Sequence, residues 1–245
     1  MTAGESCTHR GGESAAARET APHAVVTGAS SGIGRAVTER LLGAGWRVTA
    51  LSRRPVEPAG TALHWVEADL ADLDAIPAAV AGVTRADAVV HAAGLQRSAR
   101  LGALSTADGT AMWRVHVAAT EVLVGTLIDR VPDGGRVVLV GSRTMTGVPG
   151  KSQYAATKAA LAALARSWAA ELVTRRVTVN VVAPGPTDTP MLQDPARATT
   201  PPRVPPMGRL IDPAEVAGTV AFLLGPDARS ITGQTLVVCA GASLG

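Results

Sequence analysis

The octapeptide TGASSGIG, Thr27–Gly34, decides the fold of this 245-residue chain. It follows a short β-branched apolar run, His23–Thr27, and opens a segment with helical periodicity, Gly34–Leu42. A glycine-rich turn between a buried strand and a helix is typical of the first βαβ unit of an α/β domain. The octapeptide therefore predicts an α/β domain with a parallel sheet.

The alternation of strand and helix continues along the rest of the chain. Seven apolar runs are predicted to be strands: His23–Thr27, Arg47–Leu51, Ala62–Val66, Ala88–His91, Arg136–Val140, Arg176–Val182 and Thr235–Cys239. Helical patterns cover Gly34–Leu42, Gly109–Arg130, Ser152–Thr174 and Pro213–Leu224. This order predicts one doubly wound, Rossmann-type domain, residues 22–245, with seven parallel strands flanked by helices. Its ligand site is expected beyond the carboxyl ends of the strands.

Two segments do not follow the strand and helix pattern. Met1–Ala21 is rich in Gly, Ser, Glu, Thr and Arg and has almost no large apolar residue, which predicts a disordered leader. Residues 190–210 carry many prolines and little periodicity, which predicts a mobile lid over the site. The lid contains Arg197, Arg203 and Arg209, so its inner surface is expected to be partly cationic.

Composition excludes several classes of function. The chain has a net charge of +3 and a pI of about 9.4, but its arginines are scattered and its aromatic residues are four Trp, one Tyr and one Phe. No nucleic-acid partner is expected, because such binding needs a basic stripe or stacking platforms. Cys7 and Cys239 lack metal-ligand spacing, so no metal is expected. No apolar run approaches the roughly 20 residues of a membrane span and no signal peptide is visible, which predicts a cytoplasmic protein without a membrane partner.

The three glycines of the octapeptide have separate predicted roles. Gly28 would permit the tight turn, Gly32 would let the backbone approach a pyrophosphate, and Gly34 would let helix and strand pack closely. N–H groups at the start of the helix would face the anion. An ordinary strand-to-helix turn that needs glycine is the alternative. With the motifs downstream, the loop predicts a nicotinamide dinucleotide site.

The end of the second predicted strand indicates which dinucleotide is used. An NAD site usually places an acid there, about 20 residues after the loop, to bind the ribose hydroxyls. This chain has Ser52-Arg53-Arg54 instead. A hydroxyl followed by a guanidinium can bind a 2′-phosphate, so NADP(H) is the predicted cofactor. The alternative is that two arginines merely solvate a strand end.

Tyr154 and Lys158 are the predicted acid/base pair. Their spacing of four on an Ala-rich helix puts phenol and ammonium on one face. A nearby cation favours the phenolate, which would lower the phenol pKa from about 10 toward a useful range. Tyr154 is the only tyrosine, and the only lysines are Lys151 and Lys158. A tyrosine packed under a lysine stem is the alternative.

Ser142 is the third predicted member of the reacting group. It follows the apolar strand Val137–Val140 and Gly141, so its hydroxyl should emerge at the carboxyl edge of the sheet. There it could hydrogen-bond a substrate oxygen opposite the tyrosine helix. A serine that only caps a strand end or turn is the alternative.

Together these motifs resemble the short-chain dehydrogenase/reductase family from His23 to Gly245. They occur in the family's order: TGASSGIG, Asp69-Leu70, AAG at 92–94, Ser142, YAATK at 154–158, VNVVAPGPTDT at 179–189 and ITGQ at 231–234. The resemblance implies that Tyr154 is the general acid/base, that Lys158 binds the nicotinamide ribose, and that Ser142 steadies the reacting oxygen. It implies these cofactor contacts: Gly28, Ser30, Ser31, Gly32, Ile33, Gly34, Ser52, Arg53, Arg54, Asp69, Leu70, Ala93, Gly94, Tyr154, Lys158, Pro184, Gly185, Thr187 and Thr189.

The chain departs from the family pattern at three points. His91 stands where Asn usually begins the AAG motif, and His116 stands where a fourth catalytic Asn often serves a water relay. Because imidazole can donate and accept hydrogen bonds, His116 is a candidate catalytic residue. The alternative, given equal weight, is a helix histidine that only hydrogen-bonds a nearby carbonyl. The interval from Ser142 to Tyr154 is one residue shorter than expected, which predicts a tighter loop.

Three functions remain open at this stage. The first is an NADPH-dependent reductase of small or carrier-bound keto substrates, such as β-keto acyl groups, resembling the 3-oxoacyl-[acyl-carrier-protein] reductases and ketoreductases of the family. The second is a cyclic dihydrodiol dehydrogenase, because AAGLQR, PGPTDTPM and GASLG resemble 2,3-dihydro-2,3-dihydroxybenzoate dehydrogenase. The third is a non-catalytic nucleotide-sensing scaffold, against which the intact Ser142, Tyr154 and Lys158 argue. Apolar helices and the resemblance also predict a homotetramer.

Overall fold

The computed structural model describes residues 20–57, 60–194 and 203–244. The predicted disordered leader therefore lies outside the described residues except for Thr20 and Ala21. The middle of the predicted lid, residues 195–202, including Arg197, lies outside them too. Predictions about these segments stay predictions.

The described residues form one seven-stranded sheet in which every neighbouring pair is parallel. The strands are β1 (His23–Thr27), β2 (Arg47–Ser52), β3 (Leu63–Glu67), β4 (Ala88–His91), β5 (Arg136–Val140), β6 (Thr178–Pro184) and β7 (Thr235–Val238). Their order is β3-β2-β1-β4-β5-β6-β7, so the winding direction reverses between β1 and β4. The predicted doubly wound sheet is confirmed, and its switch point lies at the end of β1.

The helices cover both faces of this sheet. They are α1 (Gly32–Gly43), α2 (Ile76–Ala79), α3 (Thr106–Trp113), α4 (Ala119–Leu127), α5 (Ser152–Leu172) and α6 (Pro213–Leu224). A π-helical turn, Arg114–Ala118, joins α3 to α4. Helix α6 starts at Pro213, as predicted, and a capping box formed by Asp212 and Glu215 stabilises this start.

Two apolar cores lie on opposite faces of the sheet because side chains alternate along each strand. Val25 of β1 packs in the core that contains Leu123 of α4 and Leu161 of α5. Val26 packs on the other face, in the core that contains Leu41 of α1 and other residues of α1 and α6. The central strands are therefore buried on both sides, and their polar ends define the site.

The structure moves the predicted starts of one helix and one strand and adds a helix that was not predicted. The helix predicted over Gly109–Arg130 starts earlier, at Thr106, because the Ser105 hydroxyl accepts the N–H of Asp108 at 3.1 Å as an N-cap. The strand predicted from Arg176 starts at Thr178, because Arg176 is left-handed with φ of 57°. The single turn of α2 was not predicted.

The stretch Thr106–Arg130 corrects the expectation that no apolar run approaches membrane-span length. By length and composition alone it could cross a membrane, because an 18-residue window within it has a mean hydropathy of 1.2. Half of that window is buried inside the protein, and Leu123 and Leu127 are fully buried in the core. The stretch therefore packs as a core helix of the domain.

Candidate active site

A cavity of about 1150 Å³ opens at the carboxyl ends of the strands. It exceeds the roughly 300–1,000 Å³ of a typical small-ligand pocket, so a dinucleotide and a second small molecule have room. Many residues predicted from the sequence line it: Ile33, Gly94, Ser142, Tyr154, Lys158, Pro184, Gly185, Thr187 and Thr189. The loops that follow β1, β4, β5 and β6 therefore meet at one place, as predicted.

The glycine loop has the backbone geometry expected of a phosphate-binding turn. Gly28 and Gly32 have φ angles of 68° and 54°, which residues other than glycine rarely adopt. A Cβ on Gly28 would lie 2.9 Å from the Ala93 backbone, and one on Gly32 would lie 3.1 Å from Thr189. A Cβ on Gly34 would collide with the Gly28 carbonyl. The loop is therefore packed against the chain segments that follow β4 and β6.

Other predicted contacts flank this loop. Ser30 and Ser31 are half-buried within it, and Ser31 is the N-cap residue of α1. Asp69 is exposed in the turn after β3, where its carboxylate accepts the N–H of Ala71 at 3.0 Å. Leu70 is only 6% exposed and belongs to the apolar core. Leu70 therefore contributes packing below the site.

Tyr154 and Lys158 lie on the buried face of α5, with 7% and 4% of their surfaces exposed. Lys158 Nζ is 6.0 Å from the centre of the Tyr154 ring. Nζ also donates a 2.8 Å hydrogen bond to the Val140 carbonyl at the end of β5. Burial lowers the pKa of Lys158 to about 7. The ammonium is therefore poorly solvated and favours an oxygen-rich partner in the cavity.

Ser142 lies at the carboxyl end of β5, as predicted. Its Oγ accepts the N–H of Thr144 at 3.2 Å and lies 2.9 Å from the Thr144 hydroxyl. When the Thr144 hydroxyl donates this bond, the Ser142 proton remains free for a ligand oxygen. A short 3-10 turn, Arg143–Thr146, follows, and the shorter interval to Tyr154 keeps both residues on the cavity wall.

Thr27 is a site residue that the sequence analysis missed. Its buried hydroxyl accepts the N–H groups of Ala92 and Ala93, each at 3.1 Å. The same hydroxyl lies 3.1 Å from Nδ1 of His91 and, with both lone pairs used, donates to that nitrogen. Thr27 therefore holds the segment after β4 against the glycine loop. Its place between strand and glycine turn was the available signal.

His91 is fully buried and neutral. Because Nδ1 accepts from Thr27, its proton is on Nε2, which has no partner in hydrogen-bond geometry within the described parts of the chain. Burial lowers its pKa to about 3, with the charge of Lys158 adding to the effect and the Val115 carbonyl opposing it. The Val115 carbonyl is therefore near the ring without forming a well-directed hydrogen bond.

His116 lies in the π-helical turn and joins two parts of the site. Its Nε2 accepts the N–H of Leu95 at 3.1 Å, so Nδ1 carries the proton and donates to the Thr157 hydroxyl at 2.8 Å. Burial and the nearby Lys158 hold its pKa well below the usual value. Both ring nitrogens are thus occupied, which favours the alternative of a satisfied histidine over a relay.

Ser52, Arg53 and Arg54 lie at the end of β2, beside the glycine loop. The Ser52 hydroxyl donates to the Arg54 carbonyl at 2.7 Å and accepts from Nε1 of Trp65 at 3.1 Å. The Ser52 hydroxyl therefore stabilises the turn, and its proton is not available to a ligand because it is donated to Arg54. Arg53 and Arg54 are exposed, and neither side chain has an ion pair with any described residue.

A cationic wall beyond Ser142 and Tyr154 was only partly predicted. Arg203 lines the cavity as expected of the lid, but Arg209 pairs with Glu215 at 2.6 Å on the exposed side. Arg100 and Arg143 also line the cavity, and neither was singled out in the sequence. No local pattern marks them, because their position depends on how the loops fold back.

The residues present fit a nicotinamide dinucleotide. The glycine loop leaves no room for side chains where a phosphate would approach the start of α1. A Cβ on Gly94 would lie 3.0 Å from Nε2 of His116 and 3.6 Å from Nζ of Lys158, so glycine at this position fits the close packing beside the ammonium. Among the described residues there is no group of His, Cys, Asp and Glu that could hold a metal ion.

Comparison with known proteins identifies the family. A family model described as Enoyl-(Acyl carrier protein) reductase matches residues 28–243. The chain is 37% identical over 237 residues to the 3-oxoacyl-[acyl-carrier-protein] reductase FabG of Vibrio harveyi, a match covering 89% of this chain and 96% of that protein.

Solved structures agree with this match. A short chain dehydrogenase/reductase family protein superposes with a TM-score of 0.82 and 33% identity, covering 91% of this chain and 98% of that one. A blue fluorescent protein from a metagenomic library, in complex with NADPH, has a TM-score of 0.78 and 30% identity, covering 91% and 98%. This chain belongs to the short-chain dehydrogenase/reductase family and is an oxidoreductase that uses a nicotinamide cofactor on a CH–OH or C=O group.

Proposed function

We propose that this protein is an NADPH-dependent reductase that converts the ketone of a β-keto acyl or small keto substrate to a secondary alcohol. One observation carries the proposal: a single cavity contains the glycine-loop residue Ile33 together with Ser142, Tyr154 and Lys158. A dinucleotide bound at the loop would extend towards the phenol and ammonium groups. The reaction centre would then be the part of the cavity between Gly94 and Ser142.

The proposed reaction moves one hydride and one proton. When bound, the reduced nicotinamide supplies the hydride, with its two electrons, to the carbonyl carbon and becomes oxidised. The Tyr154 phenol gives its proton to the carbonyl oxygen, so its O–H bond breaks as the alcohol O–H bond forms. The phenolate that remains is reprotonated from solvent, which completes the balance.

Ser142 and Tyr154 would hold the reacting oxygen from two sides. The Ser142 hydroxyl is oriented by the Thr144 N–H, and its free proton can donate to the same carbonyl oxygen. Negative charge develops on that oxygen as the hydride arrives, so a preoriented donor stabilises the transition state more than the ground state. Removing one such donor typically costs about 100- to 1,000-fold in rate.

Lys158 would have an electrostatic and a binding role. Its ammonium donates to the Val140 carbonyl and lies 6.0 Å from the centre of the Tyr154 ring. A positive charge this close would stabilise the phenolate form of Tyr154. Its remaining N–H groups can donate to ribose hydroxyls of the cofactor. Because burial lowers the Lys158 pKa to about 7, hydroxyl acceptors and a nearby anion would favour the charged form.

The preference for NADPH over NADH rests on the end of β2. Arg53 and Arg54 supply two exposed cations where a carboxylate would repel a 2′-phosphate. The Ser52 proton is already bonded to Arg54, so the guanidinium groups, rather than the serine, would carry the recognition. The blue fluorescent relative, whose solved structure is a complex with NADPH, also supports this cofactor.

The substrate assignment draws on the relatives. The Vibrio harveyi protein is named for reduction of 3-oxoacyl groups on acyl carrier protein. A cavity open enough for two molecules suits either a carrier-tethered keto group or a small keto compound. His116 would serve this site as a positioning residue, because it ties the Leu95 backbone to the tyrosine helix.

A spectrophotometric screen at 340 nm, run in both directions, tests the proposal. With NADPH the panel contains keto thioesters, keto esters, keto acids and quinones, and with NADP⁺ it contains cyclic diols and simple secondary alcohols. We expect reduction of at least one keto class to exceed diol oxidation at neutral pH. If diol oxidation dominates and no keto compound is reduced, the protein is a dihydrodiol dehydrogenase instead.

A further inference from the structure

The charged side chains that line the cavity are all basic. These basic side chains are Arg100, Arg143, Lys151, Lys158 and Arg203, and the described lining contains no carboxylate. Lys158 belongs to the proposed reaction centre. The other four form the cationic wall and come from the loops after β4 and β5 and from residue 203. Among them, Arg100, Arg143 and Arg203 form no ion pair with a described residue, so their charges are open to a substrate anion.

Arg143 differs from the other cations of this wall. It follows Ser142 directly, at the start of the 3-10 turn, and is half-buried, whereas Arg100 and Arg203 are exposed at the rim. Its Nε is out of contact with solvent and has no hydrogen-bond partner within residues 20–57, 60–194 and 203–244. Because Nε itself is covered, a ligand in the cavity would meet the terminal N–H groups of Arg143, which form no ion pair with any described residue.

Among the arginines outside the cavity lining, Arg97 is paired by the protein itself. Arg97, in the loop after β4, reaches Asp194 at 3.4 Å and Asp108 at 3.9 Å. Two other arginines with an unpartnered buried Nε, Arg47 and Arg136, begin β2 and β5 at the opposite edge of the sheet. Arg143 is thus the described arginine that combines an unpartnered buried donor with a place on the cavity wall.

We propose that Arg143 binds a carboxylate of the substrate, so that the preferred substrates are ketones with a free acid group. A guanidinium presents two parallel N–H donors that match the two oxygens of a carboxylate. Because Arg143 is adjacent in sequence to Ser142, this contact would lie within one small molecule's length of the reacting carbonyl. The exposed Arg100 and Arg203 would attract the anion towards the cavity mouth.

This inference rests on the proposed ketone reduction and restricts its preferred substrates to ketones that carry a free acid group. A β-keto thioester is neutral around its carbonyl and would leave the Arg143 guanidinium unpaired. A keto acid would pair it and be oriented by it, with the ketone towards Ser142 and Tyr154. The two substrate types differ in charge at one end, so matched pairs can separate them.

The test compares 3-oxo and 4-oxo acids of four to eight carbons with their methyl esters, using NADPH. We expect kcat/KM for the better acid to exceed that for its ester at least tenfold. In Arg143→Gln, the ratio of acid to ester should fall at least tenfold, mainly through a higher KM for the acid. Arg229→Gln, an exposed arginine elsewhere, is the matched control and should keep the wild-type ratio.

Two results would overturn the assignment while leaving the proposed reductase intact. One is a wild-type enzyme that reduces esters or thioesters as well as the acids or better. The other is an Arg143→Gln enzyme in which acid and ester turnover fall equally, since that indicates a structural role; an unchanged NADPH dissociation constant checks that the variant is folded. If no keto compound of any class is reduced, the proposed function fails and this inference fails with it.

Discussion

The Lys158 ammonium donates a 2.8 Å hydrogen bond to the main-chain carbonyl of Val140. This bond joins the tyrosine helix α5 to the end of β5, two residues before Ser142. The two elements that carry the proposed reacting groups are thus fixed to each other through a buried charge. Changes at this point are expected to affect geometry as well as chemistry.

Tyr154→Phe should remove nearly all turnover and leave cofactor binding almost unchanged. The phenyl ring keeps the packing of a side chain that is only 7% exposed, and only the transferable proton is lost. We expect kcat to fall by about 100- to 10,000-fold. Initial rates at 340 nm and an NADPH titration by fluorescence measure the two effects.

Lys158→Ala is the companion variant, and it should weaken both cofactor binding and turnover, because the ammonium is assigned to both. Appreciable turnover in Tyr154→Phe would mean that another group transfers the proton.

Arg53→Leu should reduce NADPH affinity by about 10- to 100-fold and leave NADH affinity nearly constant. That range corresponds to the loss of one charge-assisted hydrogen bond. The change avoids Ser52, whose hydroxyl bonds Trp65 and Arg54 and so supports the turn itself. Dissociation constants for both cofactors give the preference.

Arg40→Leu, an exposed arginine on α1, is the matched control for that experiment. The double change Ser52→Asp with Arg53→Leu should reverse the preference. Equal or tighter binding of NADH by the unmodified protein would contradict the assignment of NADPH.

The buried histidines should make the protein sensitive to acid. Burial lowers the His91 pKa to about 3, so between pH 6.5 and 3 the unfolded chain binds a proton that the folded protein does not. Stability therefore falls as the pH falls through this range, by about 1.4 kcal/mol per pH unit for one such group. His91→Asn removes this titrating group. Between pH 7 and 5 the free energy of unfolding of the variant should therefore fall by about 2 kcal/mol less than that of the wild-type protein.

Urea unfolding at the two pH values measures this difference. His64→Asn, an exposed histidine on β3, is the control and should behave like the wild-type protein. Identical pH slopes for His91→Asn and wild type would show that His91 does not titrate on unfolding.

The protein is expected to be a homotetramer. The outer face of α5 exposes Ala156, Ala163 and Ala170 at intervals of seven, and Trp113 of α3 is 49% exposed. Small apolar residues in a row let a second helix approach closely, and symmetric pairing would cover them. Light scattering should give four times the 24.8 kDa chain mass.

A charge placed on that face should break the assembly. Ala163→Arg is expected to lower the measured mass, whereas Ala44→Arg, exposed in the turn after α1, should not. A monomer at micromolar concentration in the wild-type protein would refute the prediction.

Local sequence determined the architecture and most of the proposed site. Strand boundaries agree within about two residues, because β-branched runs and the turns between them are local signals. The glycine loop and the Tyr154–Lys158 spacing were recognisable for the same reason: a positive φ or a shared helix face involves residues at most a few positions apart. The π-helical turn at Arg114–Ala118 was not predictable, since no local pattern marks it.

The tertiary structure alone decided what each polar group is bonded to. The Thr27 hydroxyl serves backbone groups 65 and 66 residues away, and His116 accepts from Leu95 and donates to Thr157, 41 residues on. The folded packing also gives the Ser52 hydroxyl a donor in Trp65, whereas the Nε of Arg143 has no acceptor within the described part of the chain. Hydrogen bonds depend on distances of about 3 Å between groups far apart in the chain, and only the folded packing sets those distances.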